Sequence, residues 1–186
     1  MTLRRESRPV IAFLIAAGFS AAIAAAETYT ATAEVRAADG TKKTAPVTIQ
    51  IDRFSTDAER QAALKTLKET GQAGLKKWLQ SMKDLGWVEA ASKKTPIRYA
   101  AWRSTGDGRV VTVVTPDAIV HLGADLPDAK PRGGYDLAIG VLILDAAGKG
   151  HGECAPAGKI KLQSNDAIAI EDYGGSTVWL QGIAKK

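Results

Sequence analysis

The stretch GKGHGEC, residues 148–154, decides how this chain folds. Three glycines alternate with lysine, histidine and glutamate, and the run follows DLAIGVLIL, residues 136–144, which is apolar on both faces of an extended strand. Glycines at alternate positions leave one face of the next strand without side chains, so the strand can bend sharply or pack closely against another element. We therefore predict that residues 148–154 form the tight corner of a strongly curved sheet.

Segments with a period of two surround this corner, and that period is typical of half-buried strands. They lie at residues 28–36, 44–52, 97–103, 109–115, 135–145, 151–162, 167–171 and 177–183, with a further short strand expected at 118–122. Turn residues such as Asp39-Gly40 separate most of them. The pattern predicts an α+β fold built on an antiparallel meander that is strongly curved or closed like a barrel.

A helical period interrupts the strands after the second strand. Thr56 and Glu59 have the spacing of a capping box, which marks the start of a helix. Further along, one broad apolar stripe has the spacing of a helix face. Its members are Leu75, Trp78, Leu79, Met82 and Leu85.

Two glycines, Gly71 and Gly74, lie before this stripe and either separate two helices or bend one. We predict a helical hairpin inserted after the second strand, with Gly86 as its C-terminal cap. Helices of this length are marginal by themselves in water, so the stripe has to be buried. We expect it to cover the concave or open side of the sheet.

The first 26 residues have the pattern of a cleaved secretory signal. Three arginines precede an uncharged run from Val10 to Ala26, which ends in three alanines. A membrane anchor is the alternative, but a spanning helix usually needs about 20 strongly apolar residues, and nearly half of this run is alanine. We predict cleavage after Ala26, export to the periplasm or the extracellular space, and a single domain at residues 27–186 without a transmembrane span.

The charge of the chain does not indicate an anionic partner. The formal net charge is +5, and it falls to +3 when the three arginines and Glu6 of the signal are removed. The remaining basic residues occur as scattered pairs, such as Lys42-Lys43 and Lys93-Lys94. Nucleic acid recognition requires basic residues gathered on one face. We therefore expect no nucleic acid partner.

Candidates for chemistry are few, namely His121, His151 and Cys154. In a strand, His151 and Glu153 point to one face and Cys154 to the other, so they converge only if the strand bulges. Zinc sites take three or four ligands, and a catalytic thiol requires an adjacent base. We predict no metal, no cofactor and no catalytic residue. The alternative is an enzyme with a site near His121, His151 and Cys154.

Tryptophans provide the candidates for binding. Trp78 lies on the helical stripe, and Trp102 shares a strand face with Arg98 and Ala100. A curved sheet covered by helices can hold an apolar ligand with tryptophan at the rim, although side chains often fill such a space. We predict a non-enzymatic domain that binds an apolar small molecule or an envelope protein, with Trp78 and Trp102 as candidate contacts. A purely structural envelope protein is the remaining alternative.

The order of elements resembles that of a group of small secreted bacterial proteins of uncharacterised function. The resemblance rests on FSTDAERQAALKTLKETG (54–71), TPIRYA (95–100), and LDAAGKGHGEC (144–154) followed by AGKIKL (157–162). It covers most of residues 27–186. It implies a shared fold, with no activity and no catalytic residues to carry over.

Overall fold

The computed structural model describes residues 11–13, 26–36, 41–123, 133–162, 168–172 and 178–186. Within them one helix, α1, spans Asp57–Ser81. The strands are β1 (Ile11–Phe13), β2 (Glu27–Arg36), β3 (Lys42–Ile51), β4 (Gly86–Ala90), β5 (Lys93–Ile97), β6 (Tyr99–Ser104), β7 (Gly108–Thr115), β8 (Leu137–Asp145), β9 (Lys149–Leu162), β10 (Ile168–Asp172) and β11 (Val178–Lys185).

The strands form one antiparallel sheet in the order β5-β4-β3-β2-β11-β9-β8-β7-β6. The long strand β9 pairs with β11 through its first half and with β10 through its second half. β1, which belongs to the expected signal, pairs with β10. The predicted antiparallel sheet is confirmed.

The sheet closes almost completely because its two end strands are consecutive in the chain. Only Arg98 separates β5 from β6, and its backbone N–H donates to the carbonyl oxygen of Val114 on β7 at 3.0 Å. β5 pairs with β4, whereas β6 pairs with β7. The segment formed by β5, Arg98 and β6 therefore connects the two edges of the sheet. The predicted barrel-like closure is confirmed.

Alternate residues of the strands point inward and form the main core. They include Tyr29, Ala31, Ala33, Val35, Val47, Ile49, Ile51, Val111, Val113, Leu142, Leu144, Val178, Leu180 and Ile183. β8 is buried on both faces from Leu137 to Leu142, as its apolar run predicts. The sheet therefore has a second apolar layer on the outside of β8.

The glycine corner lies where β8 turns into β9. Gly148 adopts φ +74° in the turn, which favours glycine. A Cβ on Gly150 would lie 1.9 Å from the carbonyl oxygen of Ile143, and one on Gly152 would lie 2.3 Å from that of Val141. Neighbouring backbone thus occupies the space of both missing side chains. Close packing, one of the two possibilities that the glycines offered, is therefore what the structure shows at Gly150 and Gly152.

The predicted helical hairpin is wrong, because one helix spans the whole segment. Gly71 has φ 67° and ψ −168°, which kinks α1 without starting a reversing loop. Both halves bury residues in a single outer cluster against β7, β8 and β9. The helix contributes Ala63, Leu67, Leu75 and Leu79, and the strands contribute Val114, Leu137, Ile139 and Ile160.

The expected place of the helix is also wrong. α1 covers the outer face of the sheet, whereas the inward-pointing strand residues fill the concave side themselves. Leu85, expected on the helical stripe, lies after α1 and belongs to the barrel core. The expected strand at 118–122 does not form either, and Ile119 donates its N–H to the carbonyl oxygen of Pro156 at 2.9 Å instead.

The strand pair β4–β5 was missed because its turn lacks the usual residues. Ala91 and Ser92 have φ values of 50° and 62°, a conformation normally taken by glycine or asparagine. Gly86, expected as a helix cap, begins β4 instead, and α1 is capped at Met82. A Cβ on Gly86 would lie 2.0 Å from the carbonyl oxygen of Gln50. A larger residue at this position would therefore collide with the backbone of β3.

Candidate functional site

One end of the barrel interior is filled by a polar cluster that we call the end cluster: Glu27, Tyr29, Arg109 and Lys185. Glu27 is buried, and its carboxylate accepts hydrogen bonds from Tyr29 at 2.6 Å, from Arg109 at 2.8 Å and from Lys185 at 2.8 Å. The candidate Trp102 lies beside it, with the Arg109 guanidinium carbon 6.0 Å from its ring centroid. These residues come from four strands, β2, β6, β7 and β11, so the cluster ties the barrel together.

The electrostatics of the end cluster keep Glu27 ionised. Burial opposes the charge, but the bonds from Lys185, Tyr29 and Arg109 outweigh it and hold the pKa of Glu27 below its usual range. Burial, reinforced by the neighbouring carboxylate of Glu27, raises the pKa of Tyr29. Both pKa shifts therefore arise from burial together with hydrogen bonds and charges within the cluster.

The barrel core contains a small cavity. Its volume is about 20 Å³, which holds about one water molecule. The lining is apolar apart from Thr115 and Cys154, and it includes Val113, Ile119, Leu122 and Leu180. A drug-sized ligand requires several hundred cubic ångströms. Among the residues that the structure describes, this cavity is therefore too small for an apolar small molecule.

The structure separates the two tryptophans expected to contact a ligand. Trp78 is half-buried on α1 and packs against the outer cluster. Trp102 is half-buried against the barrel core, on the opposite face of the sheet. They do not form a common site.

The structure also does not bring His121, His151 and Cys154 together. His151 is exposed on the outer face of β9, whereas Cys154 lines the cavity inside the barrel. His121 is exposed in the segment after β7. Across the described residues, no group of three or more histidine, cysteine, aspartate or glutamate side chains is placed to hold a metal.

An exposed surface on the outer face, which we call the outer patch, was not singled out in the sequence. It comprises Ile143 of β8, His151 and Glu153 of β9, and Trp179 of β11. Ile143 is 46% exposed and Trp179 is 37% exposed, so both large apolar side chains reach solvent. The strand pairing places Ile143 opposite His151 and Trp179 opposite Glu153.

A sequence signal for this patch did exist. Trp179 alternates with Val178 and Leu180, and both of these point into the core. The alternation therefore predicts an outward tryptophan. Which strand would lie beside it was not available from the sequence, because Glu153 and Trp179 meet only through the β9–β11 pairing.

Comparison with known proteins gives no relative. No protein-family model, no curated protein and no solved structure matches this chain significantly. Among the residues that the structure describes, no helix is both long and apolar enough to cross a membrane.

Proposed function

We propose that this chain is an exported, non-enzymatic bacterial domain that binds another protein of the cell envelope through its outer patch. The observation that carries the proposal is the contrast between the two faces of the barrel. Side chains fill the inner face around a cavity of about 20 Å³, whereas the outer face exposes Ile143 and Trp179. Exposed tryptophan is enriched at protein interfaces.

The small-molecule alternative has less support. The pocket expected inside the curved sheet is too small for such a ligand, and Trp102 is engaged with the end cluster. A ligand would first have to displace core side chains, which costs packing free energy. Protein binding at the outer patch requires no such rearrangement.

The enzyme alternative has less support than protein binding. Cys154 faces the interior, whereas His151 points outward on the same strand. A thiol acts as a nucleophile when a base or a positive charge lowers its pKa. The opposite orientations of these two side chains favour a structural role for both.

Export and the shared fold of the secreted bacterial group are parts of the same proposal. The expected cleavage falls after Ala26, which is exposed, and Glu27 then begins both β2 and the end cluster. The proposed cleavage thus leaves all of β2 in the domain. Mass spectrometry of protein from the native host is expected to show a chain that starts at Glu27. A mass that retains residues 1–26 would contradict export with cleavage.

Photo-crosslinking in the native host tests the interface. A p-benzoylphenylalanine at Ile143 is expected to give one discrete adduct of higher mass, which weakens when Trp179 is also changed to Asp. The matched control carries the probe at Lys65, whose side chain is 73% exposed on α1. Equal adducts at both positions, or none at Ile143, would rule out the outer patch as the interface.

A further inference from the structure

The outer face carries a row of three side chains across adjacent strands. Trp179 of β11 lies directly opposite Glu34 of β2 on one side and opposite Glu153 of β9 on the other. Directly paired residues on neighbouring strands have Cβ atoms about 5 Å apart. Trp179 therefore has a glutamate as its direct cross-strand neighbour on each side.

Among the described residues, Lys42 provides a lysine partner for only one of these two carboxylates. Lys42 lies 3.1 Å from Glu34. In the part of the chain that the structure describes, Glu153 has no hydrogen bond and no ion pair, and no lysine or arginine lies over Trp179. Burial raises the pKa of Glu153, and only the charge of His151 acts against this. The half-buried carboxylate of Glu153 therefore lacks a strong cationic partner.

The same chain shows what such a pair of residues can hold. On β4, the outward side chains of Trp87 and Glu89 meet Lys94 of β5. The Lys94 Nζ lies 3.8 Å from the centroid of the Trp87 ring and 3.9 Å from a carboxylate oxygen of Glu89. A tryptophan face and a carboxylate together thus bind an ammonium group here. Trp179 and Glu153 have the same chemistry without the cation.

We propose that Trp179 and Glu153 bind the side chain of a lysine or arginine presented by the protein partner. This inference rests on the proposed function, since it specifies the chemistry of the partner at the outer patch. Attraction between the cation and the ring combines with the charge of the carboxylate, while Ile143 provides apolar contact nearby. The partner is therefore a protein that presents at least one lysine or arginine at its interface.

Nuclear magnetic resonance of the indole N–H groups tests the site. The chain has four tryptophans, and the signal of Trp179 is assigned by its loss in Trp179→Phe. The probes are N-acetyl-lysine-methylamide and N-acetyl-arginine-methylamide, with N-acetyl-norleucine-methylamide as the neutral comparison. We expect the cationic probes to shift the Trp179 signal, while the Trp87 signal, where Lys94 already lies, shifts much less.

Matched variants identify the carboxylate. Glu153→Gln is expected to weaken binding of the cationic probes roughly three- to tenfold. Glu89→Gln, which changes the glutamate beside the occupied Trp87, is expected to leave the Trp179 titration unchanged. No shift up to about 100 mM probe, an equal shift with norleucine, or an unchanged titration in Glu153→Gln would overturn the inference.

The two proposals fail in different ways. A crosslink at Ile143 that persists in Glu153→Gln, together with no cation preference at Trp179, would leave the protein interface standing and overturn the cation site. A cation titration at Trp179 without any crosslink would overturn the envelope partner and leave the cation site standing.

Discussion

The carboxylate of Glu27 and the guanidinium of Arg109 lie 2.8 Å apart across the interior of the barrel. Their strands, β2 and β7, are separated by β11, β9 and β8 in the sheet order. The contact therefore joins opposite walls of the barrel. Lys185 of β11, the last strand, forms an ion pair with the same carboxylate. Ion pairs therefore close this end of the barrel, whereas apolar side chains pack the rest of the core.

Removing Glu27 is expected to destabilise the barrel. Glu27→Ala should lower the free energy of unfolding by about 2–3 kcal/mol, less than for fully buried pairs because Arg109 and Lys185 reach solvent. Urea unfolding measures this loss. Lys42→Ala, which breaks the exposed pair with Glu34, is the control and should cost at most about 0.5 kcal/mol. Similar losses in both variants would contradict a bracing role for the end cluster.

The capping box of α1 predicts a dependence of stability on pH. Hydrogen bonds from Arg53, aided by the backbone of Thr56, lower the pKa of Glu59 from 4.5 to about 2. Because the folded-state pKa is depressed, this stabilisation is complete above the unfolded-state pKa and is lost as the pH falls from about 4.5 to about 2.

Two variants of Glu59 separate the charge from the cap. Glu59→Gln retains a side chain that can cap the helix, and it should remove the contribution of Glu59 to the acid dependence. Glu59→Ala should also lose the cap, at a cost of about 1 kcal/mol near neutral pH. Thermal melting as a function of pH distinguishes them. An acid profile of Glu59→Gln that equals the parent's would argue against the assignment.

The glycine corner predicts a position-specific intolerance of alanine. Gly152→Ala is expected to cost about 1–3 kcal/mol, because its Cβ would meet the backbone of β8. Gly106→Ala has nothing within 4 Å of its added Cβ and should change stability by no more than about 0.5 kcal/mol. Denaturant midpoints of the two variants provide the comparison. Equal midpoints would mean that β9 is not held tightly against β8.

Two neighbouring residues of α1, Trp78 and Leu79, are expected to contribute differently to stability. Leu79 is 1% exposed, so Leu79→Ala is expected to cost about 2–5 kcal/mol. Trp78 is half-buried at the edge of the same cluster, and Trp78→Ala should cost less than Leu79→Ala. Calorimetry of both variants tests the order. A larger loss for Trp78 would mean that the helix faces the sheet differently.

Local patterns predicted much of this fold. The alternation of Val47, Ile49 and Ile51 identified β3, and the capping box of Thr56 and Glu59 forms as expected. Both signals depend only on residues close in sequence. The hairpin and the place of the helix were wrong because the stripe shows which face is buried, not what covers it. The β4–β5 turn was missed because alanine and serine adopt it without a sequence signal.

Long-range pairing determined what the sequence could not show. Glu27 and Arg109 are 82 positions apart, and neither has a local pattern that predicts a buried ion pair. The same holds for Trp179 and Glu153, which become neighbours only through strand order. The candidates chosen from residue type, Trp78 and Trp102, lie on opposite faces of the sheet.

Under the proposed cleavage after Ala26, the position of Glu27 would link the lifetime of the protein to the accuracy of that cleavage. The residue that ties three strands together would then also be the first residue of the mature chain. An aminopeptidase that removes a single amino acid would delete the carboxylate and leave Arg109 and Lys185 without it. A ragged N-terminus would then produce two populations, one long-lived and one readily degraded.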